Sequence, residues 1–354
     1  MNCLLLSYKS IKDINIGDYI QSLAARQYIQ SFKYKLIDRE KLNLYDGDES
    51  YLIMNCWYTS QPDSFPPSKK IKPLFISFHL NSSVSYEILS NPSNIEYFKK
   101  FEPIGCRDKN TLKILKSKNV KAYFSGCLTT TLYKTYKKTI SNNKICVVDL
   151  VSTIPRYKNI FSKLKDYLNI FVFSIGNLSN TIFILSNLKK NCPIKINSIY
   201  KFLFYWIYAA RTFQIVKSTV HESNFQKIDY FTHLYESNTL ISEEERFKFA
   251  DMLLKIYAKS SLILTSRLHC ILPTLGFDVP SIYFNQVNDD ELSSCRKEGI
   301  IELFNKIELS NSTVVNNPFG KIKDINKIKK KQVFMKYAKK LDLTIKDFLN
   351  EKKS

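Results

Sequence analysis

One stretch of the chain, residues 261–286, constrains the fold more than any other. It reads SLILTSRLHCILPTLGFDVPSIYFNQ, and Leu262–Thr265 is short and continuously apolar, as in a parallel strand buried on both faces. Apolar residues then recur at helical spacing up to Gly276, a typical helix stop, with Ser266 as the expected N-cap and Pro273 as the site of a kink. A second apolar run follows. The stretch therefore predicts a strand–helix–strand unit.

The first helical turn of this unit carries Arg267 and His269. In an open parallel sheet, ligands bind at the carboxyl ends of the strands, and the N-termini of the following helices favour anions. A guanidinium offers a planar fork of donors, and an imidazole holds or releases a proton near neutral pH. These residues predict a site for a small phosphorylated acid. The alternative is that Arg267 pairs with a local carboxylate and His269 caps a helix, and an Arg-x-His pattern alone does not decide between them.

Length and charge narrow the class of protein. A chain of 354 residues is too long for one ordinary core, so two domains are expected, and 44% hydrophobic residues favour a globular protein. The net charge of +21 suits anionic partners, namely phosphate esters, an acidic glycan or an anionic membrane face, although an AT-rich genome would produce part of the lysine excess. No zinc-finger, RNP-like or helix-turn-helix pattern accompanies this charge, so nucleic acid is not expected as a partner.

The cysteines and the apolar runs indicate the cellular compartment in which the protein is expected. Eight cysteines are scattered without a Cys-x-x-Cys pair, and neither they nor His221 and His233 have the spacing of a metal site. The first apolar run is too short for a signal peptide, and no run of about 20 uncharged apolar residues occurs. We therefore expect a reduced, cytoplasmic protein without a zinc site.

Polar residues follow predicted strands in the N-terminal half as well. A strand over 3–8 leads to Asn15, Gly17 and Asp18 and then to a helix over 19–30. Gly17 permits a tight turn or the close approach of a ligand, and Asp18 either caps the helix, the favoured role, or accepts a sugar hydroxyl. Two further buried strands are expected over 51–57 and 74–79, and His79 ends the second of them.

A third strand end carries another arginine. Residues 103–106 predict a short strand, after which Arg107 and Asp108 begin a helix. The next strand, over 122–127, ends in a compact turn at Ser125 and Gly126 whose N–H groups are free for a ligand. Arg107 is therefore a second candidate for binding an anion, unless it only forms an ion pair with Asp108 at the start of the helix.

The C-terminal half restarts the same pattern after a polar linker over 133–144. A strand is expected over 144–150 and another over 214–216, and a capped amphipathic helix over 242–258. The aromatic stretch 199–213 is a helix, either buried or facing a membrane with Trp206 and its tyrosines at the interface. The Lys-rich tail is an amphipathic helix that packs across both domains or lies on an acidic surface. The expected domains are 1–138, 139–322 and the tail 323–354.

Four blocks in this order resemble the polysaccharide pyruvyl transferases. They are Asn15-x-Gly17-Asp18 with Gln21-Ser22-Leu23-Ala24, Gly105-Cys106-Arg107-Asp108 with Thr111-Leu112, Ser125-Gly126-Cys127-Leu128-Thr129, and Thr265-Ser266-Arg267-Leu268-His269-Cys270 ending in Val279-Pro280. The resemblance implies an α/β fold of two Rossmann-like domains in a GT-B-like arrangement, with the site in the inter-domain cleft. The N-terminal domain would serve the acceptor and the C-terminal domain the donor. At the second glycine block, Cys127-Leu128 replaces the family's usual Asp-Pro.

The resemblance also implies a reaction. A pyruvyl group passes from phosphoenolpyruvate to a saccharide or lipid-linked glycan, typically as a cyclic ketal, with Arg267 and His269 as the catalytic residues and neither a metal ion nor another cofactor. The expected substrate-binding residues are Arg107, Asn15, Gly17, Asp18, His79, Ser125, Gly126 and Ser266. Such an enzyme of cell-surface polysaccharide synthesis would be cytoplasmic, with peripheral contact at the inner face of the cytoplasmic membrane. A nucleotide-sugar glycosyltransferase of the same architecture and a non-catalytic basic adaptor remain as alternatives.

Overall fold

A computed structural model of the protein describes residues 1–9, 13–137, 142–151, 159–236, 239–287 and 291–350. The fold is a mixed α/β structure with parallel sheets. Its strands are β1 (Asn2–Ser7), β2 (Asp13–Asn15), β3 (Lys33–Asp38), β4 (Ser50–Met54), β5 (Trp57–Tyr58), β6 (Ile71–Phe75), β7 (His79–Leu80), β8 (Ile104–Cys106), β9 (Ala122–Phe124), β10 (Ile145–Val148), β11 (Ile228–Phe231), β12 (Leu234–Glu236), β13 (Leu262–Thr265), β14 (Ser281–Gln286), β15 (Asn305–Ser310) and β16 (Thr313–Asn316). Its α-helices are α1 (Ile16–Ile29), α2 (Ser82–Ser90), α3 (Pro92–Lys100), α4 (Lys109–Ser117), α5 (Ile160–Gly176), α6 (Leu178–Asn191), α7 (Ile199–Thr219), α8 (Glu243–Lys259), α9 (Leu268–Gly276), α10 (Glu291–Cys295) and α11 (Met335–Asn350).

The first sheet has the strand order β3-β1-β4-β6 with every neighbouring pair parallel. The parallel arrangement extends beyond these four strands. Phe78 forms a parallel bridge to Cys106, and the Phe78 carbonyl accepts a hydrogen bond from the Arg107 N–H at 2.8 Å. Strands β8 and β9 pair in parallel beyond this bridge. Since parallel strands end at one edge of a sheet, His79 and Arg107 come out at the same edge.

The second sheet has the order β11-β10-β13-β14-β15-β16, parallel except for the final antiparallel pair β15 and β16. Strand β13 is at its centre, and Ile263 and Leu264 are fully buried. With α9 and β14 it confirms the predicted strand–helix–strand unit. The continuously apolar sequence of β13 follows from burial on both faces.

The two sheets are joined by packing and by hydrogen bonds. Helix α1 packs on α8 and α9, and β2 pairs antiparallel with β12. The Tyr19 hydroxyl donates to Glu243 Oε1 at 2.9 Å and accepts from Arg246 Nη1 at 3.0 Å. One buried apolar cluster contains residues of both sheets. This packing brings the start of α1 next to the start of α9.

The starts of these two helices differ from the predictions. Asn15, and not Asp18, caps α1, since its side chain accepts from the Gly17 N–H at 3.1 Å, and the helix begins at Ile16. The expected Ser266 cap of α9 is wrong, because the Ser266 hydroxyl donates to the carbonyl of Asp149. Neither N-terminus is capped as expected, and in α1 this leaves the Asp18 carboxylate available for other contacts.

The predicted strand over 214–216 is also wrong, because these residues lie inside α7. Their apolar character comes from packing, since Ile215 and Val216 are at most 1% exposed on the buried face of that helix. The helix predicted over 199–213 is confirmed and extends to Thr219. The capped helix near 242–258 is confirmed as α8, with a capping box between Ser242 and Glu245.

The tail and the predicted linker both pack on the rest of the fold. In α11, Leu341 and Ile345 join the large apolar cluster, and Ala338 packs in a second cluster with Leu268 of α9. The tail helix thus packs across both halves, which was one of the two alternatives predicted for it. Of the linker over 133–144, residues 138–141 lie outside the described residues. Its start is held in place, because the Tyr136 hydroxyl donates to Asp251 Oδ1 at 2.6 Å.

Candidate active site

A buried guanidinium lies at the edge of the first sheet. Arg107 follows β8 and is 1% exposed. Its Nη1 atom lies 3.3 Å from Gln21 Oε1 and 3.4 Å from His269 Nε2. Its Nε makes no hydrogen bond within the described ranges, and the nearest carboxylate oxygen, Asp108 Oδ2, is 4.0 Å away. A buried charge normally requires close partners, so this guanidinium has donors suited to an anionic ligand.

His269 reaches the same place from the other half of the protein. It is the second residue of α9, and a Cβ atom added to Gly17 would lie 3.1 Å from the Nδ1 atom of its ring. Burial, followed by the positive charges of Arg107, His233 and Arg296, lowers the pKa of His269 well below its ordinary value. The imidazole is therefore neutral at pH 7. Because the guanidinium can only donate, Nε2 faces it as an acceptor and the ring proton is on Nδ1.

Gln21 connects Asp18 to this pair of side chains. Its Nε2 donates to Asp18 Oδ1 at 3.0 Å, while its Oε1 faces Arg107. The pKa of Asp18 is raised by burial, which outweighs the lowering effect of Arg39, Arg107 and Arg296. Asp18, Gln21, Arg107 and His269 thus form one connected polar group across the two halves. A carboxyl group of raised pKa in this position is suited to accept a hydrogen bond from a sugar hydroxyl.

His79 is fixed beside Arg107 by a carboxylate. Its Nδ1 lies 2.6 Å from Asp108 Oδ2, and Asp108 Oδ1 accepts from the Thr111 N–H at 2.8 Å as the cap of α4. Burial lowers the pKa of His79 despite the attraction of Asp108. His79 is therefore a neutral imidazole that donates from Nδ1 to a buried carboxylate. This hydrogen bond occupies Asp108 Oδ2 with His79, so the Arg107 guanidinium has no close carboxylate partner at the helix start.

Arg267 pairs with the carboxylate of Asp149 and does not lie beside His269 as expected. Its Nε donates to Asp149 Oδ2 at 2.8 Å, and Asp149 also accepts from the Tyr208 hydroxyl at 2.9 Å and from the His233 N–H at 2.8 Å. Burial opposes the charge of Asp149, but Arg267 and then His233 outweigh it and lower the pKa of this carboxyl. The guanidinium beside His269 is thus Arg107 and not Arg267. The structure thus shows an ion pair for Arg267, as in the alternative, but with a carboxylate that is distant in the chain and not local.

Arg267 instead borders a cavity. This cavity has a volume of about 520 Å³ and is lined mainly by aromatic and aliphatic side chains of α7, among them Tyr200, Leu203 and Phe204. Asp149 and Arg267 form part of its wall. An apolar cavity with one ion pair in its wall differs in chemistry from the polar group around Arg107.

The remaining predicted residues have their polar atoms engaged in the fold. Ser125 Oγ accepts from the Ser77 N–H at 3.1 Å and donates to the Cys106 carbonyl at 3.0 Å. Gly126 has a φ of +73°, and a Cβ there would contact Tyr337 of α11 at 3.4 Å. The structure therefore places Ser125, Gly126 and Ser266 among fold-forming contacts, and their binding roles remain predictions.

Four residues of this region were missed as site residues by the sequence reasoning, namely Gln21, Asp108, Asp149 and Arg296. Gln21 follows Asp18 by three residues on one helix, a spacing that predicts contact. Asp149 comes directly after β10, so strand-end reasoning would have found it. Arg296 carried no signal, because only the tertiary fold brings its charge close enough to act on Asp18 and His269. Within the described part of the chain, no group of three or more His, Cys, Asp or Glu side chains is placed to hold a metal ion.

Replacing Asp149 by asparagine is expected to lower the free energy of unfolding by about 3–5 kcal/mol, the usual effect of leaving a buried charge without its partner. The amide cannot neutralise Arg267 and brings an N–H₂ group toward existing donors. Urea denaturation measures the change. Asp229→Asn is the control, since its partner Lys144 is 3.6 Å away and both side chains are partly exposed. The difference in the free energy of unfolding between the parent and Asp149→Asn should shrink as the pH falls through the lowered pKa of Asp149. A loss below about 1 kcal/mol, the range of exposed pairs, would contradict the role of this ion pair.

Gly17→Ala is expected to lower turnover about tenfold, because modest displacement of the candidate proton-transfer residue His269 is sufficient to slow a reaction. The added methyl group would lie 3.1 Å from the Cβ and Nδ1 atoms of His269 and equally close to Asn15 Oδ1, so that the ring and the cap of α1 would both have to shift. Steady-state kinetics measure the effect. Gly176→Ala is the matched control, since a Cβ there has no neighbour within 4 Å. Equal kinetics for both variants would show that the position of this ring does not matter.

With this geometry described, comparison with known proteins adds one finding. The family model described as "Polysaccharide pyruvyl transferase" matches residues 15–286. The matched range begins at the cap of α1, ends with β14, and contains Asp18, Arg107 and His269. No curated protein and no solved structure matches the chain.

Proposed function

We propose, from the premise that this chain belongs to the polysaccharide pyruvyl transferase family, that it transfers the pyruvyl group of phosphoenolpyruvate to a saccharide and forms a ketal. The observation that carries this proposal is Arg107, a buried guanidinium with unused donors placed 3.4 Å from the imidazole of His269. Phosphoenolpyruvate brings a carboxylate and a phosphate, the two groups that a guanidinium binds best. The reacting carbons would then lie close to a residue that can move a proton.

Donor binding would also prepare His269 for its role. Burial, together with the positive charges of Arg107 and Arg296, lowers the pKa of this imidazole and keeps it neutral. A bound phosphoenolpyruvate adds negative charge next to Arg107 and Arg296, which offsets those charges and raises the pKa of His269. The donor would thereby produce the protonated imidazole that its own activation requires.

The proposed reaction moves two protons in and out of the cleft. His269 protonates the methylene carbon of phosphoenolpyruvate, and the resulting cation is attacked by the first sugar hydroxyl, whose proton returns to His269. The C–O bond to phosphate then breaks, with the electron pair leaving on phosphate, and the second hydroxyl attacks the new cation and gives its proton to that phosphate. The guanidinium of Arg107 stabilises the negative charge on the departing phosphate, and Asp18 orients an acceptor hydroxyl.

The arrangement proposed for this reaction is two Rossmann-like halves in a GT-B-like arrangement, with the reaction in the cleft between them. Two features support it. Each half contains a largely parallel sheet, and His269 from the second half meets Arg107 and Gly17 from the first. Since phosphoenolpyruvate is a metabolite of the cytoplasm, we also place the reaction there.

Phosphate release tests the proposal. The purified protein is incubated with phosphoenolpyruvate and a panel of oligosaccharides and sugar nucleotides as acceptors. Free phosphate is measured, and the product mass is checked for an added pyruvyl group. We expect acceptor-dependent release of phosphate that His269→Gln abolishes. Transfer from a sugar nucleotide in the absence of phosphoenolpyruvate would instead identify the protein as a glycosyltransferase.

A further inference from the structure

An unusually large apolar surface covers helices α5, α6 and α7. More than half of the exposed large apolar side chains in the described residues belong to these three helices. On α5, Phe161 is 78% exposed, Leu164 59% and Leu168 62%. Their spacing puts them on one face of the helix. We call the exposed apolar residues of these helices the α5–α7 surface. A contiguous patch of this kind on a folded protein normally marks an interaction site.

The opposite side of α5 is anchored to the fold. Trp206 Nε1 of α7 donates to Ser174 Oγ at 3.1 Å, and the rings of Phe173 and Phe213 have centroids 6.2 Å apart. Ile170 and Ser174 are the buried residues of this helix. Helix α5 thus packs along a narrow edge and presents its apolar face outward. The exposure belongs to a fixed helix face.

Helix α6 is held in place just as firmly. Ile184 and Leu188 are buried, and Asn187 Oδ1 accepts from the Tyr230 N–H of β11 at 2.7 Å. No single helix in the described ranges is long and apolar enough to cross a bilayer, while α5 and α6 together meet that criterion but are bent by 95° at their junction. A bent pair tied to the edge of a sheet is suited to lie along an apolar boundary.

The charges around this surface are almost all positive. Lys163 and Lys165 on α5 and Lys189 and Lys190 on α6 are exposed. Asp166 is the single acidic residue in the sequences of the three helices, and it pairs with Arg211. An apolar face bordered by lysines fits the boundary between acyl chains and anionic headgroups. A second copy of the chain would instead place lysines against lysines.

We infer that the α5–α7 surface docks on an anionic lipid bilayer. The apolar side chains enter the headgroup boundary, and the lysines beside them extend their amines to lipid phosphates. Tyr200, Leu203 and Phe204 belong both to this surface and to the wall of the neighbouring cavity. Docking would therefore hold the cavity, and the ion pair of Arg267 in its wall, at the membrane face. The inference goes beyond pyruvyl transfer and stands without it.

Sedimentation with lipid vesicles tests the inference on the full-length chain. The protein is mixed with vesicles of phosphatidylcholine alone or of phosphatidylcholine and phosphatidylglycerol, and the bound fraction is measured. We expect binding to the anionic vesicles that weakens with salt. The triple variant Phe161→Ser, Leu164→Ser, Leu168→Ser should bind at least about 100-fold more weakly, since three large apolar side chains no longer leave water.

Matched variants distinguish vesicle binding through this surface from non-specific hydrophobic binding and from binding through the Lys-rich tail. Val315→Ser, Val333→Ser and Leu343→Ser remove three side chains that are exposed to a similar degree elsewhere, and this variant should bind like the parent. Lys163→Glu with Lys165→Glu should abolish the preference for anionic vesicles, whereas Lys323→Glu with Lys327→Glu on the tail should keep it. Circular dichroism checks that each variant folds. The inference is overturned if the parent ignores anionic vesicles, if the α5 variant binds normally, or if light scattering shows a dimer that only the α5 variant disrupts.

Discussion

His269→Gln is expected to lower kcat by about 10²–10⁴-fold, the usual contribution of a positioned proton donor or acceptor. Glutamine has a similar size and keeps a polar atom near Arg107 Nη1, which lies 3.4 Å from His269 Nε2 in the parent. It cannot carry the proton to the donor and back. Phosphoenolpyruvate binding should survive, because the guanidinium that holds the anion is unchanged. Steady-state phosphate release measures kcat, and calorimetry measures the dissociation constant of the donor.

His221→Gln is the matched control for this prediction. His221 caps a short helix through its contact with the Ser223 N–H and lies away from the cleft. It should keep parental kinetics. The kcat of the parent should also vary with pH through a limb that belongs to His269 in the donor complex, and His269→Gln should lose that limb. A variant with near-parental kcat, or one in which the limb persists, would remove His269 from the chemistry.

Strand-end reasoning predicted much of the fold from the sequence, for a physical reason. A strand buried on both faces must be continuously apolar, and Leu262–Thr265 has that pattern because it lies at the centre of a parallel sheet. The same reasoning placed Arg107 at a strand end, which the structure confirms, whereas His79 does not end the predicted strand over 74–79 but begins the short strand β7. It failed at 214–216, where a buried helix face produces a short apolar run like that of a strand. Local pattern cannot separate the two, because burial against distant residues determines both.

The site was predicted in part. The sequence singled out Arg107, His269, Gly17 and Asp18, and the structure brings these four positions together. The sequence could not show which arginine would lie beside the imidazole. Neighbours in the chain favoured Arg267, but Asp149, which directly follows the adjacent strand β10, pairs with that guanidinium. The choice depended on a carboxylate more than a hundred residues away in the chain, and only the packing of strands β10 and β13 brings it near.

The pairing of Arg267 with Asp149 has a chemical consequence for Arg107. With Arg267 neutralised by Asp149, Arg107 is the guanidinium without a close carboxylate in the cleft, and its charge acts directly on His269. In the proposed reaction, binding the donor and setting the protonation state of the imidazole would thus depend on the same side chain. Arg107 is for this reason the most informative position to alter after His269.

Arg107→Lys is expected to weaken phosphoenolpyruvate binding by about 10–100-fold, which corresponds to the loss of one charge-assisted hydrogen bond. Lysine keeps the charge but presents one ammonium in place of a planar fork, so it cannot bind two oxygens of one carboxylate or phosphate in parallel. Calorimetric titration with phosphoenolpyruvate measures the change. Arg26→Lys, on the partly exposed side of α1, is the control and should bind the donor normally.

Arg107→Gln separates the charge of this residue from its hydrogen bonds. Because the positive charge of Arg107 helps to lower the pKa of His269, its removal should raise that pKa, whereas Arg107→Lys should leave it low. NMR titration can follow this directly, since the chain has four histidines and each ring gives its own resonance. We expect both variants to bind the donor weakly. The pKa of His269 should be higher in Arg107→Gln and should stay low in Arg107→Lys, and this combination would show that one guanidinium performs both tasks. If neither variant altered donor affinity, the anion would have to bind elsewhere, and the cleft between Arg107 and His269 would not be the donor site.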